Sequence, residues 1–218
     1  MANYMYPNYT IIDNFLDDPD AAVELSKKLE WNSNDGRWPG DRSVSIHEAN
    51  RNFFDYVCKK LHTIFYETEP DYWKTSLNFQ RSLPYHINQY DKKNRGWVHV
   101  DECLFGGIIY LNKNPEPDTG TSMYRQKDGY SSQNSIKWKK KLYLNEISPE
   151  EDEQYYHSYD EVHNQYIETV KVENVYNRLV FIGNGTYHGV STFGTKERLT
   201  LSFFTHNMSG KIPPMCRK

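Results

Sequence analysis

Cysteine is scarce. The 218 residues hold three, Cys58, Cys103 and Cys216, odd in number and far apart. That argues against a disulfide framework and a cysteine-based zinc site, and it points to a reducing compartment, the cytoplasm. The sequons at Asn8, Asn184 and Asn207 are then chance matches. Long apolar runs are also missing. The best, such as Leu104 to Leu111, has the size of a strand, well short of the roughly 18 residues that a spanning helix needs, so no membrane partner is expected. The N-terminus MANYMYPNYT has no basic region followed by an apolar stretch, and no secretory signal is read there. Nor is there an excess of positive charge: 26 Lys and Arg against 29 Asp and Glu leave −3, which speaks against a broad basic face for nucleic acid. No repeat with a period of 20 to 50 residues is visible. What the chain has in plenty is aromatic side chains, with 18 Tyr, 10 Phe and 5 Trp making 15% of it. They favour β-rich packing.

The pattern along the chain divides it at about residue 72. Before that, Asp17-Asp18-Pro19-Asp20 combines a capping aspartate, a proline for the first helical position and further acid at the helix N-terminus. Ala22, Leu25 and Leu29 follow at helical spacing, predicting a helix over 19–29. A second helix is predicted over 49–66 from the stripe Phe53, Phe54, Val57, Leu61, Ile64 and Phe65. Residues 1–72 thus read as a helical support region. From 73 to 218 short apolar runs alternate with Gly and Asn turns. Strands are predicted near 76–80, 86–90, 97–101, 107–111, 122–125, 169–172, 178–182, 188–190 and 199–205, the texture of an all-β sandwich or barrel in a single structural domain. One stretch, about 126–168, is polar, with Lys137-Trp138-Lys139-Lys140-Lys141 and Glu150-Glu151-Asp152-Glu153. It reads as a partly helical insertion whose charge runs face water.

Three pieces carry chemistry. In His99-Val100-Asp101 the i, i+2 spacing aims an imidazole and a carboxylate from one face of a strand. His188 opens a strand after the turn Gly183-Asn184-Gly185. Arg198, ten residues on, begins Arg198-Leu199-Thr200-Leu201-Ser202-Phe203-Phe204, where Arg198 and Thr200 share one face and apolar residues the other. An arginine entering so apolar a strand needs an anionic partner, either a structural ion pair or a ligand. Two histidines and one carboxylate form the facial triad that holds Fe(II) with positions left open. An arginine with a hydroxyl two residues on can clamp a distal carboxylate.

In these motifs the sequence resembles the Fe(II)- and 2-oxoglutarate-dependent dioxygenases, in particular their prolyl-hydroxylase-like branch. The resemblance covers about Leu77 to Asn207. It implies a mainly β fold with N-terminal helices, a double-stranded β-helix (jelly-roll, cupin-like) core with the polar insertion. It implies His99, Asp101 and His188 as iron ligands, Arg198 and Thr200 on the 5-carboxylate of 2-oxoglutarate, and Tyr110, before Leu111-Asn112, on the same cosubstrate. Tyr90 in Asn88-Gln89-Tyr90 resembles another cosubstrate-facing aromatic. The implied reaction consumes dioxygen and 2-oxoglutarate, releases succinate and carbon dioxide, and hydroxylates an unactivated C–H bond, with ascorbate as a candidate reductant. A protein side chain is the expected prime substrate, a free amino acid or small metabolite the alternative. Halogenation is disfavoured by Asp101, and nucleic-acid repair by Phe204 where that branch has a second arginine. A non-enzymatic metal-binding β-barrel is the reading from another class. A zinc hydrolase fits poorly without a general-base glutamate beside the triad. The insertion is expected to overhang the iron and grip the prime substrate through Trp138, Tyr143, Tyr155, Tyr156 and Tyr159.

Overall fold

The computed structural model describes residues 8–33, 35–62, 64, 72–82, 95–128, 136–144 and 146–209. Strand β1 is Tyr9–Ile12, helix α1 Pro19–Ser26, β2 Trp31–Asn32, β3 Asp41–Ser43, α2 Ile46–Ala49 and α3 Arg51–His62. The barrel strands follow: β4 Tyr72–Ser82, β5 Phe105–Tyr110 and β6 Thr121–Gln126, then β7 Tyr166–Val172, β8 Leu179–Gly183, β9 Tyr187–Val190 and β10 Arg198–Ser209. Between β6 and β7 lie α4 Ile136–Leu144, a 3-10 turn Pro149–Glu151 and α5 Asp152–His163. The start of α1 is built as the sequence predicts. Asp18 Oδ1 accepts the amide of Ala21 at 2.9 Å, and Pro19 occupies the first turn, where no donor is missed. The second predicted helix is two, because Asn50 breaks it with extended backbone (φ −152°, ψ 84°). Among the described residues β1, β2 and β3 also lie in the region read as helical.

The strands form two antiparallel sheets, a large one in the order β1-β8-β5-β10-β4-β3-β2 and a small one in the order β7-β6-β9. His99 and His188 exchange backbone hydrogen bonds of 2.9 Å, so the segment around His99 continues the small sheet beyond β9. This is the mainly β, jelly-roll arrangement expected. Alternation along each strand sorts the layers. Leu199, Leu201 and Phe203 of β10 join Leu77, Phe79, Phe105, Ile109, Leu179 and Phe181 in a core covered by α1 and α3. On the opposite face Tyr110, Val180 and Ile182 of the large sheet pack against Met123 and Val172 of the small one. Arg198, Thr200, Ser202 and Phe204 sit on that inner face and line a cavity between the sheets.

The segment between β6 and β7 departs from its polar appearance. Trp138, Leu142, Tyr143, Ile147, Tyr155, Tyr159 and Val162 are buried together with Trp97 and Phe193 in a second core. The Trp97 ring meets Tyr155 and Tyr159 edge-on, with centroids 6.0 and 5.3 Å apart. The reading of Trp138, Tyr155, Tyr156 and Tyr159 as faces for gripping substrate is therefore corrected. The first two and Tyr159 are core side chains, and Tyr156 packs half-buried against them. The many charged residues among these aromatics concealed the core. Trp138→Ala should then cost about 3–5 kcal/mol and lower the melting temperature by roughly 6 to 20 °C. An unchanged melting curve with altered turnover alone would return Trp138 to a role in gripping substrate.

Candidate active site

The centre of the cavity is built by the small sheet. The backbone exchange between His99 and His188 sets the two rings side by side, centroids 4.5 Å apart. β8 and β9 are joined by a tight turn in which Gly185 has φ +76° and open space around it, so glycine serves the backbone conformation there. Each ring is then oriented by a carbonyl: Nδ1 of His99 lies 2.9 Å from the Trp97 carbonyl and Nδ1 of His188 2.9 Å from that of Thr186. A carbonyl only accepts, so Nδ1 carries the proton in both rings and Nε2 is the atom presented to the cavity. His99 Nε2 is 3.7 Å and His188 Nε2 3.3 Å from the two Asp101 carboxylate oxygens. One ligand atom from each of the three residues lies within 4.8 Å of the others, the one such group of three among the described residues.

Lone pairs that converge at these separations repel unless a proton or a cation lies among them. Burial, then the charges of His188 and Lys139, push the His99 imidazole down to about 3, which leaves it neutral. Burial opposes ionisation of Asp101, yet its close contact with the His188 ring and the neighbouring positive charges outweigh it, and the carboxyl lies below its usual range. Two imidazoles that present Nε2, together with a carboxylate, suit a divalent transition metal such as Fe(II).

Across the cavity the large sheet supplies a cation. Arg198 is 5% exposed, its Nε donates to the Thr119 carbonyl at 3.0 Å, and its guanidinium lies 5.4 Å from the centroid of the Tyr110 ring. Its Nη2 is buried with no hydrogen-bond partner. No carboxylate among the described residues pairs with it, so the structural ion pair weighed from sequence is not what holds it. Burial lowers its pKa, as it must for a guanidinium without a counter-ion. Thr200 lies on the same wall, its hydroxyl 3.4 Å from the Gln80 carbonyl. Tyr110 is fully buried beside Arg198, and its hydroxyl is 2.7 Å from that of Thr121, which lines the cavity. Tyr90 lies outside the described residues.

The cavity, of about 210 Å3, brings together His99, Asp101, His188, Arg198 and Thr200. It also holds residues that the motifs did not name. Gln80 faces Thr200 across β4 and β10, and alternation in Leu77-Asn78-Phe79-Gln80 could have placed it there. Arg42, Trp38, Lys139 and Tyr143 line it as well. Lys139 belongs to the basic run read as a solvated face, and nothing in the spacing distinguished it from its neighbours.

Known structures share this architecture. A prolyl-4-hydroxylase from Pseudomonas putida matches with a TM-score of 0.50 at 15% identity, over 92% of each chain. HygX from Streptomyces hygroscopicus, crystallised with nickel, 2-oxoglutarate and hygromycin B bound, matches at 0.57 and 11% identity over 96% of this chain and 86% of its own. A 2OG-Fe(II) oxygenase family oxidoreductase from Burkholderia pseudomallei gives 0.53 and 11% over 94% and 89%. No curated protein matches the chain in sequence. The fold is that of the 2-oxoglutarate/Fe(II) oxygenases, prolyl-4-hydroxylase included. In sequence, residues 7–200, nearly the whole described barrel, match the profile described as "Family of unknown function (DUF6445)", and the chain belongs to that family.

Proposed function

We propose that the protein is an Fe(II)- and 2-oxoglutarate-dependent oxygenase that hydroxylates a C–H bond of a second, prime substrate. The observation that carries this reading is the unpartnered Nη2 of Arg198, buried in the same cavity as the His99, Asp101 and His188 cluster. A buried guanidinium donor left without an acceptor costs roughly 1–3 kcal/mol or more. An anionic ligand end that reaches it removes that cost. A metal at one end of a cavity and an arginine at the other is what a chelating dicarboxylate requires.

In this reading His99, Asp101 and His188 hold the iron, and the Nδ1 bonds to Trp97 and Thr186 keep both rings aimed. When bound, iron supplies the activation of dioxygen and the oxidative decarboxylation of the cosubstrate. Arg198 neutralises the distal carboxylate, with Thr200 and Tyr110 beside it. Ile108, Ile182 and Val190 on the walls exclude water from the reacting centre. No side chain has to act as nucleophile or general acid. The test is succinate formation from 2-oxoglutarate by the Fe(II)-loaded protein under air, with 2-oxoglutarate binding to the Ni(II)-loaded protein measured alongside. Slow turnover in the absence of prime substrate is expected. A protein that binds the metal but neither binds nor consumes 2-oxoglutarate would be the non-enzymatic metal-binding barrel instead.

A further inference from the structure

The cavity contains more positive charge than one dicarboxylate needs. Besides Arg198, Arg42 on β3 and Lys139 on α4 line it. Arg42 lies over two aromatic rings, its guanidinium carbon 4.1 Å from the Trp38 centroid and 5.2 Å from that of Phe204. Its Nε donates to Gln80 Oε1 at 3.1 Å. Among the described residues neither terminal nitrogen meets an acceptor, and no carboxylate pairs with it. Lys139 makes no ion pair there either; its ammonium lies 5.9 Å from the Tyr143 ring centroid. Burial lowers the pKa of both, that of Arg42 to about 10, and each senses the charge of Asp101. The neighbouring Arg37 differs, being paired with Asp35.

Two partly desolvated cations facing one space without counter-ions constitute a site with its ligand missing. Asp101 cannot serve both, since its oxygens face the two histidines. Glu102, on the rim, is exposed and pairs with neither cation. The stacked guanidinium presents a planar fork whose orientation the rings and Gln80 already fix, the geometry suited to an oxyanion. The space is also small: pockets for drug-sized ligands run to about 300–1,000 Å3, and part of this one belongs to the cosubstrate.

We infer that the prime substrate is a small molecule bearing a carboxylate or a phosphate, which Arg42 and Lys139 bind in the cavity. This rests on the oxygenase reading, because it takes the inner cation, Arg198, to be occupied by 2-oxoglutarate. It favours the small-metabolite alternative over a protein side chain.

The test is calorimetric titration of Ni(II)-loaded protein, saturated with 2-oxoglutarate, with three probes: acetate, inorganic phosphate and the neutral acetamide. Saturable binding of at least one anion is expected, weakened at least tenfold in Arg42→Gln and in Lys139→Gln. Arg42→Lys and Lys139→Arg, which keep the charge, should retain most of it and guard against a folding defect. The tighter anion identifies the ligand group. No binding of either anion to the wild type, equal binding of acetamide, or binding that ignores both Gln variants overturns the inference. So does a loss of 2-oxoglutarate affinity in Arg42→Gln as large as that in Arg198→Leu, which would assign these cations to the cosubstrate. If the wild type fails to bind 2-oxoglutarate at all, the oxygenase reading fails separately, and the anion titration in its absence still decides the site.

Discussion

Arg198→Leu is expected to reduce 2-oxoglutarate affinity by at least about 100-fold while metal binding persists. The guanidinium is buried, its Nε donates to the Thr119 carbonyl, and Nη2 has nothing to donate to. In the proposed complex the distal carboxylate supplies that acceptor. Removing one partner of a buried charge pair costs roughly 3–5 kcal/mol, or two to three decades and more in a dissociation constant. Without ligand the effect on stability should run the other way. Leucine takes away an uncompensated buried cation, so the unliganded variant should melt no lower than the wild type. A structural arginine would show the opposite pair of results, a destabilised protein with unaltered 2-oxoglutarate binding.

His188→Ala should abolish turnover and weaken Fe(II) or Ni(II) binding by more than about 100-fold. Losing a second-sphere partner already costs 10- to 100-fold in metal affinity, and His188 is proposed as a ligand itself. The backbone at 188 pairs with His99 through main-chain atoms alone. Alanine therefore preserves the strand and the position of His99. Circular dichroism should be unchanged and His99→Ala should behave alike. Full 2-oxoglutarate consumption by His188→Ala protein would sink the metal assignment.

Much of this site could be read before the fold was known, for a physical reason. A strand repeats every two residues, so His99 with Asp101, and Arg198 with Thr200, had to share faces once their segments were extended. The turn at Gly183 to Gly185 announced the start of β9. What the sequence concealed depends on contacts between distant segments. Arg42 reaches the cavity because β3 pairs beside β4, and nothing near residue 42 marks it. β1 is four residues long, and its partner β8 lies about 170 residues away. In the segment before β7, charged residues outnumber the aromatics between them, so its average polarity masked a core. Only the burial of Trp97 by α4 and α5 gives those aromatics their purpose.

Two hydrogen bonds described above connect the sheets at the inner end of the cavity, Arg198 to the Thr119 carbonyl and Tyr110 to Thr121. Thr200 and Thr121 are almost inaccessible there. At the other end the side chains of His99 and Asp101 remain 30% and 25% exposed. The buried arginine and the more open metal cluster thus lie at different depths of the cavity. A ligand anchored on the buried Arg198 would sit deeper than one held by the half-buried Arg42 and Lys139. In the proposed oxygenase this difference in depth would make 2-oxoglutarate the substrate to bind first and succinate the product to leave last.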